Sequence, residues 1–285
     1  MSEQPMRSVF ITGAAGGIGA ATARRLADRG HRVFAGIHED PGALADVGGI
    51  HRVAIDVTDP ESVATAADEV SREVGDRRLD VLINNAGIIV QGPLELVPAH
   101  DLRRQFEINT FGPVFVTQAF LPLLRRGGGR VVNISAPTAR VPVPFMGPIG
   151  ASKAALESLS GALRVELATW KIPVVVVEPG GTATAIFAKA DAAAQAALAS
   201  TDREHVALYR PQLAAVARAA AKQKLGPVDV VAEAIVKAAE ARRPRRHYSA
   251  GTGTRLFGAL SHLPVGLRDR VLSSAFGLGK IEPGT

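Results

Sequence analysis

The sequence predicts an α/β protein built on a doubly wound parallel sheet with helices on both faces. Short β-branched runs alternate with longer Ala/Leu-rich helical stretches from the start of the chain to about residue 180. Each run is bounded by Gly, Pro, Asp or Asn, which punctuate strand ends. Hydrophobic residues make up 47% and charged residues 21%, enough apolar material for a sizeable core and too little charge density for a disordered chain.

Strands are expected at Ser8–Thr12, Arg32–Ile37, Arg52–Ile55, Leu79–Asn84, Arg130–Ile134 and Val174–Glu178, with a seventh at His247–Ser249. The helix after Asp56 is well signalled. Thr58 or Asp59 can cap it, Pro60 suits its first turn, and Glu61 stands three residues after Thr58 as in a capping box. Two long helices follow at roughly Phe111–Arg125 and Ala151–Thr169, the latter with Leu156, Leu159, Leu163 and Leu167 at helical spacing. The Ala-rich segment 183–225 interrupts the alternation and reads as an inserted helical lid, followed by a helix over Pro227–Ala241. Small and apolar residues with scattered Arg over Gly251–Thr285 predict short amphipathic helices packed on the sheet domain or on a second subunit. The whole chain, 1–285, is expected to form one domain with this lid and C-terminal extension.

Thirty-three Lys and Arg against 27 Asp and Glu give a net charge of +6. The excess is locally clustered, at Arg242, Arg243, Arg245 and Arg246 and at Arg125 and Arg126, and only 5% of residues are aromatic. That pattern argues against a nucleic-acid partner. Without cysteine, disulfides, thiolate metal sites and a Cys nucleophile are excluded, and no metal site is expected. The residues from Met1 to Arg7 are polar and carry no signal-peptide pattern, and the apolar run Ile172–Val177 is too short to span a bilayer. A soluble, cytoplasmic protein without a membrane span is the expectation.

Directly after the first strand comes Thr12-Gly13-Ala14-Ala15-Gly16-Gly17-Ile18-Gly19, then a helical run from Ala20. Glycines there permit a tight turn and close approach of backbone to a pyrophosphate, and the helix start supplies unpaired N–H groups and a positive dipole end. The natural ligand of such a strand, turn and helix is a dinucleotide, which makes the sheet Rossmann-type.

The spacing Gly13-x-x-x-Gly17-x-Gly19 resembles that of the short-chain dehydrogenase/reductase family, and further landmarks appear in order. Asp56-Val57 resembles the adenine-contacting pair. Asn84-Asn85-Ala86-Gly87 matches the family's NNAG element. Pro179-Gly180-Gly181-Thr182-Ala183-Thr184 resembles the segment whose threonine, here Thr184, faces the nicotinamide carboxamide. The resemblance spans most of the chain, and the stretch Pro144-Phe145-Met146-Gly147-Pro148 with the long C-terminal segment looks like the steroid- and retinol-dehydrogenase-like branch. It implies an NAD(P)(H) cofactor held by Gly13, Gly16, Gly17, Ile18, Gly19, Asp56, Val57, Asn85, Ala86, Gly87, Pro179, Gly180, Thr184 and Lys153. At the end of the second strand Ile37 stands where an acid would bind the ribose diol, and His38 stands where NADP-using relatives often carry Arg. NADP(H) is therefore favoured over NAD(H).

The family's catalytic set is broken. Asn109 matches its asparagine and Lys153 its lysine, but Ala136 occupies the serine position and Ile149 the tyrosine position. The two departures agree in register, because positions 136 and 149 lie thirteen apart, as the family's Ser and Tyr do. Ser135 should project away from where residue 136 points, because successive strand residues face opposite sides. Losing a general acid typically lowers rates about 10²–10⁴-fold. Thr138, and His205 and Tyr209 from the lid, are the candidate substitutes, each also explained as a loop hydroxyl or lid surface.

The apolar stretch 139–148, with Val141, Val143, Phe145 and Met146, and the lid around Ile186, Phe187 and Leu198 suit a small lipophilic substrate. The long helices are where relatives build a dimer interface, so a homodimer or homotetramer is expected. Three functions are compatible: an atypical oxidoreductase on an imine, an enone or another acceptor needing little acid help; a non-redox cyclase- or dehydratase-like enzyme; and a catalytically silent cofactor-binding protein.

Overall fold

A computed structural model describes residues 5–44 and 47–281. The beginning of the polar stretch read from Met1 and the end of the segment read to Thr285 lie outside the described residues. Seven strands, β1 (Ser8–Ile11), β2 (Arg32–Ile37), β3 (Ile50–Ala54), β4 (Val81–Asn84), β5 (Arg130–Ile134), β6 (Val174–Pro179) and β7 (His247–Ala250), form one sheet in the order β3-β2-β1-β4-β5-β6-β7. Every pairing is parallel. The chain winds outward from β1 to β3, then returns to β4 and winds the other way, so the switch point lies between β1 and β4. Ligands of such sheets sit in the crevice at the carboxyl ends of the strands there.

The expected strands are all present, with shifted ends. The third begins at Ile50, because Ile50 pairs with Val33 and brings a buried apolar residue into register. The fourth begins at Val81, because Asp80 turns its carboxylate back to accept from the Ser8 N–H at 2.9 Å.

Helices α1 (Gly17–Asp28) and α8 (Val228–Glu240) cover one face, while α2 (Pro60–Val74), α4 (Gly112–Arg125) and α5 (Gly147–Glu166) cover the other. Alternation along the strands sorts the side chains. Val9, Ile11, Val132 and Ile134 pack toward α1 and α8, and Phe10, Leu82 and Val131 toward α2 and α4, where Phe10 stacks on Phe120 at 4.3 Å between centroids. Each such fully buried aliphatic or aromatic side chain contributes about 1.5–3 kcal/mol.

Asp59, rather than Thr58, caps α2: its side chain accepts from the Glu61 N–H at 3.0 Å, whereas the Thr58 hydroxyl donates to Asp56 at 2.7 Å. A short helix α3 (Ala99–Phe106) runs through a π-turn at Glu107–Phe111 into α4. The second long helix starts at Gly147, with Pro148 in its first turn, so it carries position 149 as well as Lys153. The predicted lid is a helical pair, α6 (Ala185–Ser200) and α7 (Arg203–Ala221), and its base is pinned by a bridge between Thr182 and Gly226. Beyond β7, α9 (Thr254–Leu260) and α10 (Val265–Ala275) form the C-terminal extension. No helix among the described residues is long and apolar enough to cross a membrane.

Candidate cofactor and active site

The glycine turn closes on the end of β4. Gly13 has φ +63, and a Cβ there would lie 2.7 Å from the Ala86 Cα. At Gly19 a Cβ would lie 2.3 Å from the Gly13 carbonyl oxygen and 2.7 Å from Asn85 Nδ2. The two segments are also bonded: Asn85 Nδ2 donates to the carbonyls of Thr12 and Gly13 at 3.0 and 3.1 Å, and the Thr12 hydroxyl accepts from the N–H groups of Asn85 and Ala86 at 3.0 and 3.1 Å. Thr12 is thus a clamp that the sequence reading passed over.

Gly16 precedes α1 with no side-chain cap, and α1 has no acidic residue in its first turn. The positive end of the helix at Gly17, Ile18 and Gly19 is left for an anion. A Cβ at Gly17 would lie 2.7 Å from Thr184 Cγ2, so the loop after β6, with Pro179 and Gly180, is folded against the turn. The tight glycine turn and the uncapped start of α1 fit a pyrophosphate, and the Thr184 loop packed against them fits the nicotinamide end of a dinucleotide.

On the β2 side, Ile37 is buried, and His38 follows as an exposed residue whose Nε2 stands 3.2 Å from Asp56 Oδ2. Burial alone would raise the Asp56 carboxyl, but hydrogen bonds from the Thr58 N–H and hydroxyl, together with His38, hold it below the usual carboxylate value. Val57 is buried against Gly112, where a Cβ would lie 2.9 Å from its Cγ2.

Asn109 sits in the π-turn and is fully buried. Its Oδ1 accepts from the Ile88 N–H at 2.9 Å and its Nδ2 donates to the Ile88 carbonyl at 3.0 Å. Gln105, one turn earlier, accepts from the Val90 N–H at 2.6 Å and donates to the Ile88 carbonyl at 3.0 Å. Together they fix the loop after Gly87. Lys153 reaches the same place: a Cβ on Gly87 would meet Asn109 Oδ1 at 3.3 Å and Lys153 Nζ at 3.6 Å. Lys153 Nζ donates to the Ile134 carbonyl at 2.7 Å, and burial pushes its ammonium down to about 8, opposed by the charge of Glu157.

Around this lysine stand the two residues expected at the family's serine and tyrosine positions. Ala136 is half-buried at the end of β5 and Ile149 is buried in the first turn of α5. Ser135 does not stand in for residue 136; its hydroxyl donates to Glu157 on α5 at 2.5 Å. The Thr138 hydroxyl is buried without a hydrogen-bond partner, and Thr138 packs on α5 beside Gly150, where a Cβ would meet its carbonyl oxygen at 3.0 Å. Tyr209, in contrast, donates its hydroxyl to Glu95 at 2.6 Å and joins the lid to the loop after β4, as the contact of Gln91 with Asp191 also does. His205 is exposed in the first turn of α7, where its backbone N–H bonds the capping Asp202 at 3.1 Å.

Of the apolar stretch before α5, Val141 does not face open space. It is packed with Leu260 and Leu272 beneath the C-terminal helices. Phe145 and Met146 are half-buried, and Phe145 is held in the left-handed region at φ 64 while its carbonyl accepts from the Gly92 N–H at 2.8 Å. Ile186, Phe187 and Leu198 of the lid are half-buried.

A second polar cluster lies on the α5 side of β5, β6 and β7. Glu178 is fully buried, and Arg140 grips it through both oxygens at 2.7 and 2.5 Å. Ser249 donates to it at 2.9 Å, and His247 Nε2 stands 3.4 Å away. Burial alone would raise this carboxyl, but His247, Arg140 and Ser249 together hold it at about 2. Glu157 behaves oppositely: burial and the charge of Glu178 raise it, against the bond from Ser135. Ligand atoms of Glu157, Glu178 and His247 lie within 4.8 Å of one another, but the guanidinium of Arg140 already supplies the cation. The only sequence signal of this cluster was a glutamate closing the run Val174–Val177.

A glycine-turn cradle at the switch point of a parallel sheet, with a buried lysine and asparagine beyond it, defines a dinucleotide-binding α/β protein of the oxidoreductase type. Residues 7–195 match the short chain dehydrogenase family model, and the chain belongs to that family. It is 33% identical over 281 residues, 95% of this chain and 96% of the other, to an NADPH-dependent 3-dehydrocapnine reductase of Ornithobacterium rhinotracheale. It is 35% identical over 282 residues to retinol dehydrogenase 16 of Mus musculus, covering 93% and 87% of the two chains. Among solved structures, a short chain dehydrogenase from Burkholderia cenocepacia in complex with NADP is 27% identical and superimposes with a TM-score of 0.74 over 95% of this chain and 99% of that one.

Proposed function

We propose that the protein is an NADP(H)-dependent reductase of a lipophilic acceptor that accepts hydride without a tyrosine proton donor, an iminium or a conjugated enone being the electrophile. The observation that carries this reading is the convergence of Lys153 and Asn109 on Gly87, together with a buried, apolar Ile149 at the position the sequence resemblance gives to the acid.

Gly13, Gly16, Gly17, Ile18 and Gly19 hold the pyrophosphate, Asp56 and Val57 the adenine, and Asn85, Ala86, Gly87, Lys153, Pro179, Gly180 and Thr184 the nicotinamide half. NADP(H) is favoured because no carboxylate stands at Ile37 to repel a 2′-phosphate and because His38, whose Nε2 lies 3.2 Å from Asp56, follows it where a donor would meet that phosphate. The NADPH-dependent relative and the NADP-bound neighbour support the same choice. The bound dinucleotide supplies a hydride.

An iminium carbon takes that hydride and becomes an amine with no proton required. An enone would take it at the β-carbon, and the carbon-bound proton would be added from solvent only after the product leaves the site. The chain's part is to position the acceptor and exclude water. The unpartnered Thr138 hydroxyl is buried beside α5 and would meet the acceptor's heteroatom only if the turn at 137–139 opens, while Phe145, Met146, Ile186 and Phe187 supply apolar contact.

The test is calorimetric titration with NADPH and NADH, then a hydride-transfer screen of ketones, imines and enones with the tighter binder. Tighter NADPH binding, with turnover confined to imines or enones, is expected. Binding without any turnover would replace the reading by a non-redox or silent role, and no nucleotide binding would remove it altogether.

A further inference from the structure

The charge of the chain is concentrated on its cap. The lid segment 183–225 and the C-terminal segment 251–281 together hold ten Lys and Arg (Lys189, Arg203, Arg210, Arg218, Lys222, Lys224, Arg255, Arg268, Arg270 and Lys280) against four acids, an excess of six that equals the net charge of the whole protein. The two segments adjoin: the position of a Cβ on Gly277 lies 4.0 Å from the Ala215 Cβ of α7.

The same region exposes apolar side chains. Leu256 is 61% exposed, Val265 62%, Leu267 48% and Val271 38%, all within sixteen residues of one another. In α10 the inward side is set by buried Leu272 and half-buried Phe276, which pack with Leu260 and Val141. The outward stripe then reads Leu267, Arg270, Val271 and Ser274, at i, i+3, i+4 and i+7. A helix that spends Leu272 on the core and still presents Leu267 and Val271 to solvent is apolar on two sides, with arginine interleaved on the outer one.

Between α10 and the following turn lies a groove of about 530 Å³ lined by Asp269, Arg270, Ser273, Ser274, Gly277, Gly279 and Lys280. Arg270, Lys280 and two serine hydroxyls line this surface together with one carboxylate, Asp269, which lies 4.0 Å from Arg268 Nε; the two cations outnumber it and suit a phosphodiester, and the exposed Leu and Val beside it suit the acyl boundary. We propose that α9, α10 and the turn at 278–280 dock on an anionic phospholipid bilayer, with the groove taking a lipid headgroup phosphate and Leu256, Leu267 and Val271 entering the interface. Charge complementarity selects this occupant, because a second copy would bring the same positive cap against itself. Interfacial helices of this kind bind through buried apolar area together with attraction to anionic lipid. Because the inner side of the cap packs on Val141, two residues after the turn carrying Thr138, docking would set the substrate side of the site close to the bilayer.

The experiment is co-sedimentation of the full chain with phosphatidylcholine vesicles and with mixed phosphatidylcholine/phosphatidylglycerol vesicles, at low and high salt. Binding to the mixed vesicles only, weakened by salt, is expected. Arg270→Ala with Lys280→Ala should weaken it about fivefold for each cation removed. Leu267→Ser with Val271→Ser should weaken it at both salts. Both pairs are at the surface, and an unchanged melting temperature and NADPH titration establish that the variants are folded. Equal binding to both vesicle types, or none, overturns the proposal. So does retention of binding in both double variants. Saturable binding of inorganic phosphate at the groove, or concentration-dependent self-association abolished by Leu267→Ser with Val271→Ser, would assign the surface to a soluble anion or to a second copy instead. None of these readouts depends on turnover.

Discussion

The Lys153 ammonium donates to the Ile134 carbonyl at 2.7 Å from inside the protein, where burial has brought its pKa down from 10.5 to about 8. Its folded value lies below its unfolded one, so holding the proton costs stability below pH 8, and that cost fades as pH rises from 8 to 10.5. Lys153→Met should therefore leave the stability of the nucleotide-free protein at pH 7 unchanged or higher, relief of the buried charge offsetting the lost bond to the Ile134 carbonyl, read by urea unfolding. The same variant should bind NADPH at least about tenfold more weakly, because a charge-assisted hydrogen bond is lost. A wild-type affinity for NADPH that falls between pH 7 and pH 9 is expected from the same titration.

Ala136→Ser with Ile149→Tyr puts a hydroxyl donor back on each side of Lys153. Ketone reduction by the double variant should exceed that of the wild type by about 10²-fold or more, the usual worth of a general acid. Each single variant should gain much less, because the two hydroxyls act on one oxygen. Steady-state kcat/KM on a lipophilic ketone is the measurement.

Thr138 buries a hydroxyl with no partner, which carries a penalty of about 1–3 kcal/mol. Thr138→Val should leave the melting temperature unchanged or higher. Its kcat/KM on the accepted imine or enone should fall about tenfold if the hydroxyl meets the substrate's heteroatom, the loss expected for one hydrogen bond to substrate. An unchanged kcat/KM would restrict Thr138 to packing on α5.

Glu178 and Glu157 sit within one cluster and respond to acid in opposite senses. The Glu178 carboxyl is held at about 2 against 4.5 unfolded, so its contribution is complete above pH 4.5 and is lost as pH falls toward 2. Glu178→Gln replaces the carboxylate facing Arg140 by a neutral amide and should cost about 1–3 kcal/mol at pH 7. Glu157 is raised by burial and by Glu178, so its share favours the fold at low pH and is lost as pH rises through its folded value. Glu157→Gln should be neutral or stabilising at pH 7. Thermal unfolding of both variants from about pH 2 to about pH 8, which spans the loss of the Glu178 contribution, checks the contrast.

Gly19→Ala would set a methyl group 2.3 Å from the Gly13 carbonyl oxygen and 2.7 Å from Asn85 Nδ2. Backbone on both sides leaves little room to relax. NADPH binding should be lost and stability lowered by about 1–3 kcal/mol, the range for overpacking.

The sheet was legible in the sequence because its signals are local. Val-rich runs, the capped start of α2 and the glycine turn each span a few residues, and the winding order follows from repeating them. The expectation that Ile149 fills the family's tyrosine position rests on two spacings, from Ala136 to Ile149 and from Ile149 to Lys153. The Glu178 cluster was not legible, since its partners come from 38 residues earlier at Arg140 and 71 later at Ser249, joined only by the β5, β6 and β7 pairing. The fate of Val141 was hidden for the same reason. Its covering residues, Leu260 and Leu272, lie more than a hundred positions away.

The lid has a thermodynamic character of its own. Of its two long helices only Ala190 in α6 and only Ala215 in α7 are buried, while α8, which follows, buries six residues. So few anchors mean that amides of α6 and α7 exchange through a shallow local opening, whereas those of β1, β4 and β5 wait for global unfolding. The lid and the sheet are therefore expected to open as separate cooperative units, which hydrogen exchange would show. Mutations can therefore reshape the acceptor side of the protein with little effect on the melting of the rest.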